Sequence, residues 1–385
     1  MSIFLITFLS LYGALHAYAY YRLRTSFHPS RTAAVRLAAV MVLMTIAPLL
    51  IRFLEWSSFK RSATLLAWPG YIWMGALLLF CSALLLADIV RLLAWAICRT
   101  SGFRFPDYLS SRLTCEMALL LSLSATFYSF FEARNIRTEY LTVTTSTLPA
   151  GSGRIRIVQI SDVHLGLLVS KERLQRILTQ VKAANPDILV STGDLVDGRL
   201  NQQGTLDIHG SMAAMLADVK APMGRFAVVG NHEYYAGIRQ ALDFTSSAGF
   251  KILCNETTPA GTFLSITGVD DPARKRVGLE SAGPSEAALM TAAEQGRFKL
   301  LLKHRPVVDK SSDGLFDLQL SGHTHQGQIF PFTLLVLLEF PLTGGTAKSA
   351  AGSLLHVSRG SGTWGPPLRF LAPPEVTIID LVPTK

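Results

Sequence analysis

Charge is scarce in this 385-residue chain: Asp, Glu, Lys and Arg make up only 16% of it, and its mean hydropathy is +0.34. So thin a polar complement excludes a purely soluble protein. Cysteine is scarcer still. Of the four, Cys81, Cys98 and Cys115 fall in the apolar first third, which leaves Cys254 alone in the remainder. No disulfide can close within that remainder, so cysteine gives no report of the redox compartment. A basic excess is also missing where a polyanion would be bound. Residues 1–140 carry 13 Lys and Arg against 6 Asp and Glu, whereas the other 245 carry 23 against 21. The net charge of +9 thus belongs to the loops of the apolar third. A domain that neutralises a phosphate polymer keeps its positive stripe on the folded surface, so nucleic acid is excluded as a partner. Internal repeats and low-complexity tracts are absent.

What the first third does contain is hydrocarbon. Residues 1–131 read as a transmembrane region of about four helices, near 3–21, 33–51, 65–87 and 113–131, each close to the length that crosses a bilayer. The fourth is diluted by Ser122, Ser124, Thr126 and Ser129, with Glu116 near its start. Ala17-Tyr18-Ala19 resembles a signal cleavage site, but no basic residue precedes the apolar stretch and more apolar segments follow, so an uncleaved helix is expected. These helices show no cluster of buried charge of the kind that lines an ion pathway. Arg22, Arg24, Arg31, Arg36, Arg91, Arg99, Arg104 and Arg112 fall in one set of loops, against Arg52, Lys60, Arg61, Arg134 and Arg137 in the other. Positive loops stay cytoplasmic, so a multi-pass membrane protein with an extracytoplasmic C-terminal part is expected.

Residues 132–153 are polar and read as a linker, and the domain proper as 154–385. There the chain alternates. Strands are expected at Ile155–Ile160, Ile188–Val190, Phe226–Val229, 263–268, 298–302, 316–320 and 376–381, with helices over 171–184 and about 205–218. Helices between strands imply a layered α/β domain whose ligands gather at the carboxyl ends of strands.

Asp162-Val163-His164, Gly193-Asp194, Gly230-Asn231-His232-Glu233, His304 and Ser321-Gly322-His323-Thr324-His325 each follow a β-like run. Five of the nine histidines therefore stand at strand ends beside Asp, Asn or Gly. Asp162 and His164, two apart in extended chain, are expected to project the same way. A carboxylate with an imidazole suits Zn²⁺, Mn²⁺ or Fe. Asp194 can bridge two cations with its two oxygens, Asn231 offers a neutral oxygen, and His304, His323 and His325 complete a set of seven. Two cations about 3.5–4 Å apart hold both oxygens of an in-line displacement and acidify a trapped water. His232, adjacent to a proposed ligand, faces elsewhere and is free to protonate a leaving oxygen, with Asp197 as the partner that orients and charges it. Taken singly, Asp-x-His and His304 are better explained by a surface turn or loop and Gly-Asn-His-Glu as well by a helix cap, whereas Ser-Gly-His-Thr-His favours metal; their joint order is the signal.

That series resembles the calcineurin-like metallophosphoesterase family over about residues 150–385. The flanks Ser-Asp-Val-His-Leu-Gly (161–166), Gly-Val-Asp-Asp-Pro (268–272), Ser-Gly-His-Thr-His-Gln-Gly-Gln (321–328) and Ser-Arg-Gly-Ser-Gly-Thr (358–363) look like its membrane-linked bacterial phosphodiesterase branch. The resemblance implies a four-layer α/β/β/α sandwich and two divalent metal ions. It implies that Asp162, His164, Asp194 and His325 hold one metal, that Asp194, Asn231, His304 and His323 hold the other, and that His232 with Asp197 contacts the phosphate. It also implies a bacterial inner or cytoplasmic membrane. Gln326 stands where that branch commonly has Gly, and Glu233 where it more often has Asp, which leaves substrate preference open.

Arg305 and Arg359 are candidate phosphate clamps, with surface arginines as the plainer reading. The stretch 329–342 is apolar apart from Thr333 and Glu339, and reads either as buried core or as a lipid-facing loop beside the site. The expected activity is hydrolysis of a phosphodiester or pyrophosphate, in one version lipid-linked, by a metal-bound hydroxide. The alternative is a non-catalytic metal-binding sensor or scaffold, which would lack His232 or a bridging carboxylate; neither is missing.

Overall fold

In a computed structural model that describes residues 2–57, 59–101, 111–198, 206–279 and 283–384, the chain divides into two compact units. One comprises residues 1–131 with 365–370, and the other residues 132–364 with 371–385.

Four helices build the first unit: α1 (Ser2–Phe27), α2 (Arg31–Trp56), α3 (Lys60–Ser101) and α4 (Ser111–Glu132). The Ser30 hydroxyl starts α2 by accepting the Ala33 N–H at 3.3 Å. Among the described residues, Arg31–Trp56, Lys60–Thr100 and Ser111–Glu132 are long and apolar enough to cross a membrane. The expected span 3–21 lies in α1, but its opening side chains fall outside the described residues, as does Arg104. Tyr12, Met41, Leu77, Phe80, Leu84 and Ala118 pack into the interior of this unit, while Val42, Phe53, Leu92 and Leu123 remain more than half exposed. Helices that stay apolar on the outside are built for hydrocarbon surroundings.

The second unit runs β1 (Arg137–Thr145), β2 (Ile155–Ile160), α5 (Lys171–Ala184), β3 (Ile188–Ser191), α6 (Leu206–Ala217), β4 (Arg225–Ala227), α7 (Asn231–Ala236), α8 (Ile238–Ser247) and β5 (Lys251–Ile252). It continues with β6 (Glu256–Ala260), β7 (Leu264–Val269), α9 (Ala273–Arg276), α10 (Glu286–Ala292), β8 (Phe298–Lys303), β9 (Leu318–Ser321), α11 (Phe332–Glu339), β10 (Gly345–Lys348), β11 (Leu354–Val357) and β12 (Glu375–Pro383). Two six-stranded sheets result, ordered β1-β12-β2-β3-β4-β5 and β10-β11-β9-β8-β7-β6. Strands β2, β3, β4 and β5 are parallel, as are β7, β8, β9 and β11.

Period-two alternation sorts the side chains between layers. Val158 and Ile160 of β2 face α5, where Leu174, Ile177, Leu178 and Val181 recur at helical spacing. Ile155 and Ile157 point the other way, into a core shared with Leu264, Ile266, Leu300 and Leu302 of the second sheet. Beyond that sheet, Met290 of α10 packs with Leu301 and Phe316. Helix, sheet, sheet and helix make the expected four layers. Truncating the fully buried Leu300 to alanine should cost about 2–5 kcal/mol of stability, read as a lower urea midpoint at unchanged slope.

Residues 132–153, expected as a linker, carry β1, which pairs in parallel with the C-terminal β12 from Arg137↔Glu375 to Thr145↔Pro383. The apolar stretch 329–342 is buried at Ile329 and Phe340, but none of the residues of α11 between them is buried.

Candidate metal centre

Every one of the seven ligand-type side chains stands just past a strand of a parallel set. Asp162 and His164 follow β2, Asp194 follows β3, and Asn231 follows β4. His304 follows β8, and His323 and His325 follow β9. Asp162 and His164 do bring their donor atoms together, but not from the extended chain that their spacing suggested. Both have positive φ, at 51° and 55°, as do Asp194 (52°), His323 (72°) and His325 (49°). Left-handed backbone is uncommon outside glycine, though Asn, Asp and His tolerate it best, and it accumulates where a site fixes the chain. Here it turns successive side chains inward in less space than a strand would need.

The glycines of the motifs serve close approach. A Cβ on Gly230 would lie 2.2 Å from Asp194 Oδ1, and one on Gly322 would lie 1.9 Å from Ser161 Oγ and 2.2 Å from Asp162 Oδ2.

The side chains converge in two groups joined by Asp194. In the first, Asp162, His164 and His325 bring one donor atom each within 4.8 Å of one another. His164 Nε2 and His325 Nε2 face each other at 2.9 Å, and His164 Nε2 lies 3.8 Å from Asp194 Oδ2. In the second, His304 Nε2 lies 3.2 Å from Asp194 Oδ2, from Asn231 Oδ1 and from His323 Nδ1. The His304 Nδ1–H donates to the Thr192 carbonyl at 2.8 Å, which directs the Nε2 lone pair into this group. A lone pair that faces three others requires a positive charge among them. A proton can meet that need: burial opposes charge on His304, but Asp194 outweighs it and raises the group to about 10. Burial, helped by the His232 charge, lowers His164 to about 4, and burial with His304 holds His323 well below its ordinary range. Neutral imidazoles and a carboxylate are the forms that bind a divalent cation, so the donor set fits one in each group. Because a cation must displace the His304 proton, metal affinity should fall as the pH drops, which titration calorimetry across pH 6–9 would register as proton release on binding.

His232 lies beside the ligands: its ring meets the His164 ring edge-on at 4.8 Å between centroids, and His164, Asp197 and His232 form a third group whose donor atoms lie within 4.8 Å of one another. The His232 Nδ1 meets Asp197 Oδ1 at 2.5 Å, and its backbone N–H donates to Asp194 Oδ1 at 2.9 Å. Burial opposes the imidazolium, but Asp197 and then Asp194 raise it to about 9. Trp364 and Tyr235, both nearly half exposed, present their rings to His232 at 5.3 and 5.9 Å between centroids. Nothing in their spacing marks them as neighbours of the centre.

Glu233 contributes in a way its sequence position did not disclose. Its buried carboxylate accepts the N–H groups of Asp194 (3.0 Å), Val196 (3.1 Å) and Gly230 (2.8 Å), and so holds two motif loops in register. Glu233→Gln keeps the size but cannot accept all three bonds on carboxylate oxygens. Metal affinity is expected to drop roughly 10–100-fold, measurable by competition with a chelating dye.

The two arginines are already engaged. Arg305 binds Asp271 through Nε at 2.8 Å and a terminal nitrogen at 3.3 Å, yet its charge still acts on His323. Arg359 pairs with Glu375 at 2.6 Å and with Glu139.

Layered sheets with carboxylates and imidazoles past the ends of parallel strands present a donor set suited to divalent cations. The family model of the calcineurin-like phosphoesterases matches residues 155–327. An uncharacterized metallophosphoesterase of Aquifex aeolicus is 40% identical over 256 residues, covering 66% of this chain and 95% of that protein. One from Campylobacter jejuni is 34% identical over 273 residues, covering 70% of each. A Danio rerio relative, described as a transmembrane protein with metallophosphoesterase domain, is 32% identical over 245 residues; the match covers 61% of this chain and about half, 54%, of that one. The chain belongs to the calcineurin-like metallophosphoesterase family, whose members use divalent metals.

Proposed function

We propose that this protein is a membrane-anchored, dinuclear metallohydrolase acting on a phosphodiester or pyrophosphate. The convergence of seven donors into two groups that share Asp194 carries the reading. Asp162, His164, Asp194 and His325 would hold one cation, and Asp194, Asn231, His304 and His323 the other, with Mn²⁺, Zn²⁺ and Fe as the metals such donors favour. When bound, the pair screens the phosphate oxygens and acidifies a water.

The chain's own residues do the rest. Asn231, a neutral donor, completes the second group without adding a negative charge that would repel the substrate. The bond from Asp197 orients His232 and leaves Nε2 to hold a proton for the departing oxygen. Arg305, steadied by Asp271, would add charge on the phosphate side, while Arg359 would act through its pairs with Glu139 and Glu375. Residues 1–131 would anchor the enzyme in a bacterial inner membrane with residues 154–385 outside the cytoplasm, and a lipid-linked ester is the substrate version such an anchor favours.

Full-length protein loaded with each metal should hydrolyse diesters or pyrophosphates faster than monoesters; absence of turnover on all three classes with every metal would sink the reading. Asp197→Asn removes the anion that raises His232, so its acid form should be lost at lower pH. The basic limb of kcat/KM is expected to move down by roughly 1–3 pH units.

A further inference from the structure

Helix α11 is a feature that hydrolysis alone does not require. Phe332, Leu334, Leu335, Leu337 and Leu338 are all exposed, Leu338 at 83%, as is Phe330 just before the helix, and Glu339 is the sole charged residue in the helix. Its apolar side chains are not gathered on one stripe, as they would be on a helix waiting for a protein groove; they surround it. A helix that is apolar all round belongs in a dry interior or in hydrocarbon, and this one is not interior to its unit.

Both ends of α11 are fastened to the metal-ligating loop. Near its start, the Thr333 hydroxyl donates to the Gln326 carbonyl at 2.7 Å, one residue beyond His325. Just past its end, the Phe340 ring meets the His323 ring at 5.3 Å between centroids, and the Thr324 hydroxyl donates to the Thr343 carbonyl at 2.7 Å. Trp364, an aromatic of the kind that favours membrane interfaces, is tied to the same segment. Its backbone N–H donates to Gln328 Oε1 at 2.8 Å, and its backbone carbonyl accepts from Gln328 Nε2 at 2.9 Å.

We propose that α11 is a membrane-inserting element: its Phe and Leu side chains enter the acyl region of a bilayer and hold the His323–His325 loop at the lipid surface. The occupant is lipid rather than a second protein because, among the described residues, three helices are suited to hydrocarbon, and because no polar face is left for a protein rim. Eight helical residues span about 12 Å, so the element can enter one leaflet but cannot cross a hydrocarbon core of roughly 30 Å. The inference rests on the membrane-anchored reading but not on turnover.

The test uses the full-length chain with Cys98 and Cys254 changed to Ser. An environment-sensitive fluorophore is placed on Leu335→Cys or Leu338→Cys, with the exposed Lys310→Cys as reference, in phosphatidylcholine nanodiscs. Labels at 335 and 338 should shift to the blue and lose most of their emission when the acyl chains carry a doxyl quencher, while the label at 310 responds only to aqueous iodide. Labels at 335 and 338 that ignore doxyl lipid overturn the proposal, whether iodide reaches them (water) or does not (cover by protein). A chain that stays out of the nanodisc overturns both this inference and the anchored reading. Because the signal needs neither metal nor substrate, an inactive protein with quenched labels would sink the enzymatic reading alone.

Discussion

Asp194→Asn is expected to lower kcat/KM on the order of 10³-fold or more, equivalent to about 4 kcal/mol of transition-state stabilisation, and to leave purified protein with less than its full metal complement. The reason is position. Asp194 Oδ2 approaches His304 Nε2 at 3.2 Å and His164 Nε2 at 3.8 Å, so one carboxylate reaches both donor groups. The amide has the same shape, so the loop held by Glu233 stays in place while the shared negative charge disappears. Elemental analysis beside steady-state kinetics on a diester checks both halves. Full activity with two retained metals would remove the shared-ligand account.

Changing His232 to Gln should reduce kcat by roughly 10²–10⁴-fold while the metal content is retained, since the side chain touches Asp197, two aromatic rings and the His164 ring but is not among the seven donors proposed for the cations. The loss should depend on the leaving group. An alkyl ester, whose departing oxygen must be protonated, should suffer most, and a p-nitrophenyl ester, whose anion leaves unaided, least. Equal losses across the series would show that His232 steadies the phosphate rather than delivering a proton.

Much of this centre was legible in the sequence because strands and ligands announce themselves locally. The β-branched run Ile155–Ile160 and the helical face of 171–184 appear at the expected bounds, and all seven donors fall where strand ends were expected. Two things were not legible. Spacing cannot report a backbone that turns left-handed, so Asp162 and His164 looked extended when each has positive φ. Long-range partners are equally silent. Glu233 reads as an ordinary helix-start acid until the amides of Asp194 and Val196, nearly forty residues upstream, are brought to it. Residues 132–153 look like a spacer because the partner of Arg137–Thr145 is the far end of the chain. The strands β10 and β11 escaped notice because each is only four residues long, and β11 also pairs with the distant β9.

The pairing of β1 with β12 sets an order on biogenesis. β12 lies between β1 and β2, parallel to the one and antiparallel to the other, so the first strand to leave the ribosome has no seat until the last has been synthesised. The early strand must wait through more than two hundred codons, a long-range closure that is slow by nature. Nascent chains stalled before residue 375 should therefore expose 137–145 to protease, and a stop codon there would orphan the segment that leads out of α4.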